Sequence, residues 1–281
     1  MLFRSGGFYR TWVYVNEARK YGARIHLPCV NRSLSDTTIY GEDVYLGFNL
    51  IQNFEAAVVA RLTDERLCHA DFNGLEDFIS RTSIPLEQLI ILIRLDALRF
   101  TGIDKKRLLW DAHLLLGREM PAPVSQQLFA TPSRKFELPQ LVHQRIEDAF
   151  DEMELLGFPV PMTSFDMLKT SFRGDVKAKD LASHIGKTVR MVGNLVTIKY
   201  VTTVRRDLMN FGTFLDDEGG FFDTVHFAPS LSRYPFKGRG VYLILGRVVE
   251  EFGFPSVEVE KLARLEMMPD RSEEHTSELQ S

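Results

Sequence analysis

The sequence predicts an α+β multidomain chain, with a helical region first and a five-stranded β-barrel after it. Three observations lead there. Apolar residues recur at helical spacing between residues 50 and 116. Pro121, Pro123, Pro132 and Pro139, set among small polar residues, mark an extended connector. From Gly186 onward, β-branched and aromatic runs alternate with turn residues, which is the pattern of short strands.

Both ends are set aside first. Residues 271–281 (RSEEHTSELQS) back-translate codon for codon into a sequencing-library adapter, and Met1–Ser5 match its reverse complement. They read as adapter-derived, leaving Gly6–Asp270 as the natural sequence. Gly6–Gly22 then reads as a helix with Tyr14, Ala18 and Tyr21 on one face. Arg24–Val30 is extended, Asn31–Thr38 is a turn cluster, and Tyr40–Phe48 alternates weakly as a strand would. Helices follow over Leu50–Arg66, Leu75–Ser80 and Leu86–Leu98, the last with Pro85 where a first turn tolerates it. Asp104 is expected to cap a helix running to Leu116, with Leu108, Ala112 and Leu115 turned inward. Leu141–Leu156 is helical again and stops at Gly157.

The barrel's strands are Thr188–Tyr200, Met209–Asp216, Phe221–Phe227, Val241–Phe252 and Val257–Leu265, with a short helix over Pro229–Tyr234. Five strands with a helix between the third and fourth is the order of an OB-fold, a small barrel that commonly binds single strands.

Composition narrows the function. Setting aside Arg4, Arg271, Glu273, Glu274 and Glu278 changes the net charge from −4 to −3, so any contact with nucleic acid must come from a local patch. Cys29 and Cys68 form neither a disulfide framework nor a metal pair, which suits a reducing cytoplasm. No apolar stretch is long enough to span a membrane. Asp216-Asp217-Glu218 enters a Gly-Gly turn and reads as turn chemistry rather than a metal site. Gly186-Lys187-Thr188 ends like a phosphate-binding loop, but Leu181 stands where that motif needs glycine.

Longer stretches carry a family resemblance. Arg145–Pro159 (RIEDAFDEMELLGFP), Gly186–Gly193 (GKTVRMVG), Phe211–Asp216 (FGTFLD), Phe222–Phe227 (FDTVHF) and Gly240–Gly246 (GVYLILG) resemble the α subunit of bacterial DNA polymerase III, a C-family replicative DNA polymerase. Upstream, Glu17-Ala18-Arg19 and Pro28-Cys29-Val30-Asn31 are similar to the end of that family's fingers region. The resemblance implies the end of the fingers over 6–44, a helix-hairpin-helix region over 45–118, a Pro-rich connector over 119–140, a helical connector over 141–185, and the OB-fold over 186–268. It further implies a DNA-positioning part of a nucleotidyltransferase acting in replication. The parent's catalytic palm, with its Mg²⁺-binding aspartates, is not in this sequence, so no catalytic residue, metal or cofactor is expected here. Implied partners are single-stranded DNA, the sliding clamp and other replicase subunits. A stand-alone OB-fold accessory protein and a tRNA-ligating enzyme are alternatives, and neither explains residues 6–44 or the connector peptide.

Four candidate sites follow. The family's Gly-x-Gly hairpin, whose amides approach a phosphate, falls on Gln52-Asn53-Phe54, and both glycines are missing. Lys105, Lys106 and Arg107 lie at a helix N-terminus, where cations oppose the helix dipole and a nearby anion would rationalise them. Gln126, Leu128 and Phe129, within Ser125–Phe129, resemble the family's clamp-binding peptide, with Ser125 in place of its first Gln. On the barrel, the candidates for nucleic-acid contact are Phe211, Phe214, Phe222 and His226 on strands, and Lys199, Arg205, Arg206, Lys237 and Arg239 near loops. Strand alternation assigns about half of those aromatics to the core.

Overall fold

The structure, a computed structural model, describes residues 9–117, 144–202, 208–251 and 253–270. It contains two compact units, one formed by Arg24–Val160 and one by Pro161 onward together with the segment ending at Ala23.

In the first unit, β1 (Arg24–His26), β2 (Thr38–Tyr40) and β3 (Asp43–Tyr45) form a small sheet, with β3 central, parallel to β1 and antiparallel to β2. Four helices follow: α2 (Ala56–His69), α3 (Leu75–Thr82), α4 (Leu86–Arg94) and α5 (Lys105–Leu116). The helix expected from Leu50 starts only at Ala56. Phe48–Leu50 is a 3-10 turn and Asn53 sits at φ 58°, a left-handed conformation that no α-helix contains. Asp104 caps α5 as expected, its carboxylate accepting the N–H groups of Lys106 (2.9 Å) and Arg107 (3.4 Å). Leu108 and Ala112 are buried as expected, but Leu115 is 45% exposed. α6 (Arg145–Leu155) buries Ala149, Glu152 and Leu155.

The second unit is a closed barrel of β4 (Thr188–Thr202), β5 (Leu208–Leu215), β6 (Phe221–His226), β7 (Val241–Glu251) and β8 (Phe254–Arg264). Its order is β4-β5-β6-β8-β7, with β6 and β8 parallel and α7 (Ala228–Arg233) between the third and fourth strands. That topology is an OB-fold. The long β4 serves two neighbours, pairing with β7 over Thr188–Asn194 and with β5 over Asn194–Thr202. Met191, Phe214, Phe222, Tyr242, Ile244, Val248 and Val257 fill the interior. Gly193 makes room for them, since a Cβ there would lie 2.7 Å from the Phe222 ring.

α1 (Thr11–Lys20) belongs to this second unit. It buries Val13 against Val196 and Leu215 of the barrel, with Trp12 alongside. The face expected from Tyr14, Ala18 and Tyr21 is therefore not the packed one, and Tyr21 is 87% exposed. No helix among the described residues is long and apolar enough to cross a membrane.

Candidate nucleic-acid interface

Alternation along a strand sends neighbouring side chains to opposite faces, and the register decides which go outward. Lys199, Phe211 and Val225 stand opposite one another across β4, β5 and β6, and Glu258 continues that row on β8. The inward positions on β5 are Asn210, Gly212 and Phe214, all buried. Phe211 is thus a half-buried ring on the outer face beside an exposed Lys199. The next outward row is Thr197, Thr213 and Asp223, in which the Thr213 hydroxyl donates to Asp223 at 2.7 Å. Beyond it, Leu215 is covered by α1 and Tyr9 approaches Phe221, with ring centroids 6.1 Å apart.

Three of the four aromatic candidates on strands are corrected to core residues. Phe214 stacks on Phe222 at 5.6 Å and meets Tyr242 edge-on at 6.0 Å inside the barrel. His226 is fully buried, with Nε2 2.9 Å from the Thr224 hydroxyl, its ring 4.6 Å from Phe236, and Nδ1 without a partner. Burial holds its pKa down at about 4, so the ring is neutral at physiological pH. None of the three can offer a face to a base.

The basic candidates separate cleanly. Lys199, Lys237 and Arg239 are exposed, and among the described residues no ion pair to a carboxylate involves them. Two residues not singled out from the sequence join them. Arg264 lies over Gly240, close enough that a Cβ there would be 2.7 Å from its Nε, and its guanidinium donates to the Lys237 carbonyl at 3.5 Å. Arg10, at the start of α1, is held below the ordinary arginine value by burial and then by the charge of Arg239. Only the folding of α1 onto the barrel brings it there, so no local pattern could have revealed it. Tyr200, at the far end of β4, is 70% exposed and was also missed, although a tyrosine at a strand end beside a basic loop was a usable signal.

Lys105, Lys106 and Arg107 are corrected in the other direction. Lys105 Nζ lies 2.5 Å from Asp148 and 2.7 Å from Asp151, Lys106 pairs with Glu147 at 3.0 Å, and Arg107 pairs with Asp111 at 3.0 Å. The anions that rationalise these charges are the protein's own carboxylates. At the Gln52–Phe54 hairpin the Gln52 N–H donates to Leu155 O at 2.7 Å, and just beyond it the Glu55 N–H donates to Gln88 Oε1 at 2.9 Å. Asp216 closes its turn by accepting the N–H groups of Gly220 (2.6 Å), Glu218 (3.1 Å) and Ala178 (2.8 Å). Gln126, Leu128, Phe129, Arg205 and Arg206 lie outside the described residues, as do both adapter-like ends.

Comparison with known proteins adds sequence kinship to this geometry. The helix-hairpin-helix motif family matches residues 22–108. The error-prone DNA polymerase of Mycobacterium tuberculosis (strain ATCC 25618 / H37Rv) is 33% identical over 108 residues, covering 38% of this chain and 10% of that protein. The DNA polymerase III subunit alpha of Borreliella burgdorferi is 26% identical over 285 residues, covering 92% of this chain and 24% of that protein. The chain therefore spans between about a tenth and a quarter of the length of the curated relatives it matches. Among solved structures, the single-stranded DNA binding protein from Thermus aquaticus is 21% identical, covering 29% of this chain and 41% of that one, with a TM-score of 0.27. The second OB-fold domain of replication protein A from Methanococcus maripaludis is 13% identical, covering 31% and 89%, with a TM-score of 0.24.

Proposed function

We propose that this chain, a C-terminal region of a C-family DNA polymerase, positions single-stranded DNA on the outer face of its OB-fold during replication. The observation that carries the reading is the charge layout of that face. Lys199 stands on β4 beside Phe211, and Lys237, Arg239, Arg264 and Arg10 gather around the β7 start. Further along β7 and β8 from that start, Glu250, Glu258 and Glu260 are exposed. A polyanion is drawn to Lys199 and the β7 start and repelled from the carboxylates at the middle of β8. Phe211 offers the stacking surface on the favoured side.

Each phosphate neutralised on a single strand contributes about 0.7 to the salt dependence of binding. Lys237→Ala with Arg239→Ala should therefore weaken binding of a labelled single-stranded oligonucleotide and flatten the salt slope by about 1.4. Phe211→Ala should cost about 1–3 kcal/mol and leave the slope unchanged, as loss of a stacking platform does. Should the double variant bind with parental affinity and slope across a salt titration, the barrel face is not the DNA site.

We infer further that Gln126, Leu128 and Phe129 dock on the sliding clamp, and that other replicase subunits complete the assembly. The support is the peptide's sequence: two adjacent apolar anchors behind a glutamine in a proline-rich stretch. Phe129→Ala should cost on the order of 2 kcal/mol of clamp affinity, as truncating a central anchor does. Calorimetry giving equal affinities for variant and parent would remove the connector from the clamp interface.

A further inference from the structure

We propose that α6 is a built-in competitor of DNA for the hairpins of the helical unit, holding their anion-seeking groups closed. This rests on the reading above that the chain engages DNA. Glu147, Asp148, Asp151 and Glu154 recur at the spacing that places side chains along one side of a helix. Their partners are cations at the end of α4 and the start of α5. Asp148 and Asp151 enclose Lys105, whose side chain is only 11% exposed, and Glu147 takes Lys106. Asp151 also takes Arg94, the last residue of α4, at 2.7 Å, and Glu154 pairs with the same guanidinium. The C-terminal end of the same helix reaches the Gln52–Phe54 hairpin, where the Leu155 carbonyl accepts the Gln52 N–H. One helix thus meets that hairpin and the junction of α4 with α5.

The geometry resembles that of a phosphate backbone. The stripe from Glu147 to Glu154 extends about 10 Å along the helix axis, a length over which one DNA strand presents about three phosphates. The receiving groups are of the kind that hold phosphates, namely lysines on the first turn of a helix and a guanidinium beside them. Three successive cations at the positive end of the α5 dipole are unfavourable without an anion. α6 supplies it for Lys105 and Lys106, while Arg107 has Asp111 of its own helix, and a phosphate backbone can take the two lysines only where α6 gives them up.

The test uses the full chain and a fluorescent duplex oligonucleotide. Glu147→Gln with Asp148→Asn removes two carboxylates while Asp151 stays on Lys105 and Arg94, so neither cation is left buried alone. The expected result is duplex affinity at low salt at least tenfold above the parent's, with a salt slope steeper by about 1–2, since each phosphate adds about 0.9. Adding Lys106→Ala to that background should reverse most of the gain. If the double variant loses its fold, Glu147→Gln alone decides, because its partner Lys106 is 29% exposed and stays solvated; a gain of about threefold is expected there. A folded variant that binds duplex no better than the parent overturns the inference, and so does a gain that survives Lys106→Ala, which would reflect net charge alone. Single-strand binding by the parent, lost in Lys237→Ala/Arg239→Ala, is measured beside it. If that persists while the duplex gain is missing, α6 is only a brace and the barrel reading stands; if no oligonucleotide binds at all, both fall.

Discussion

Replacing Phe214 by alanine should cost the barrel about 3–5 kcal/mol, the range for emptying an aromatic site in a packed core. The ring lies among Phe222, Phe236 and Tyr242, at 5.6, 6.4 and 6.0 Å between centroids. Gly193 and Gly212 back it closely, with hypothetical Cβ atoms 2.8 and 2.9 Å from its atoms, so no neighbouring side chain stands ready to fill the hole. For a unit of roughly 100 residues each kcal/mol shifts the midpoint by about 4 °C or more, so the barrel should melt at least 12 °C lower. Phe211→Ala, three positions away on the outer face, should change the midpoint by only a few degrees while weakening DNA binding. Thermal melts of the two variants separate the alternatives. If both destabilise equally, or Phe214→Ala melts like the parent, the inward and outward assignments on β5 are wrong.

That contrast also marks how far the sequence could be read. The barrel was legible because each strand is a β-branched or aromatic run bounded by its own turn residues, and the helix over Ala228–Arg233 interrupts the order where an OB-fold requires it. The phase of each strand was not. A period of two says that Phe211 and Phe214 face opposite ways but not which one faces in, and that depends on β4 and β6 on either side. The glycines held the missing clue, since Gly212 shares the face of Phe214 and shows the side on which a large ring needs room. The Lys105–Arg107 run could not be assigned for a different reason. Two of its partners, Asp148 and Asp151, lie more than forty residues away on α6, and no local pattern pairs charges over that distance. Asn53 shows the opposite case, where the helical periodicity continues through Leu50–Phe54 but the backbone turns left-handed.

Acidity should act on the two units in opposite directions. Glu152 lies on the buried face of α6, 1% exposed, with Oε2 accepting the Val160 N–H at 2.6 Å and Oε1 without a partner. Burial, reinforced by Asp148 and Asp151 and opposed by the Val160 hydrogen bond and Lys105, pushes its pKa up to about 7 from 4.5. Between those values the folded unit binds the proton more tightly than the unfolded chain, so its stability falls as pH rises from 4.5 and the loss is complete above 7. A shift of that size corresponds to on the order of 3 kcal/mol. His226 works the other way. Its folded pKa near 4 lies below the ordinary 6.5, so the unfolded chain takes the proton first and the barrel loses a similar amount as pH falls from 6.5 to 4. The chain's two tryptophans allow each unit to be followed separately, since Trp12 lies on α1 against the barrel and Trp110 on α5 of the helical unit. Urea melts of Trp110→Phe should report a barrel that weakens from pH 7 to 5, and those of Trp12→Phe a helical unit that weakens from pH 5 to 8. Glu152→Gln should remove the second dependence, making the helical unit more stable than the parent at pH 8 and no different near pH 4. His226→Leu should remove the first, with the Thr224 hydroxyl still held by the Gly212 carbonyl at 2.9 Å. A parental pH slope remaining in Glu152→Gln would mean that this carboxyl is not the group that titrates, and the same outcome in His226→Leu would clear the histidine.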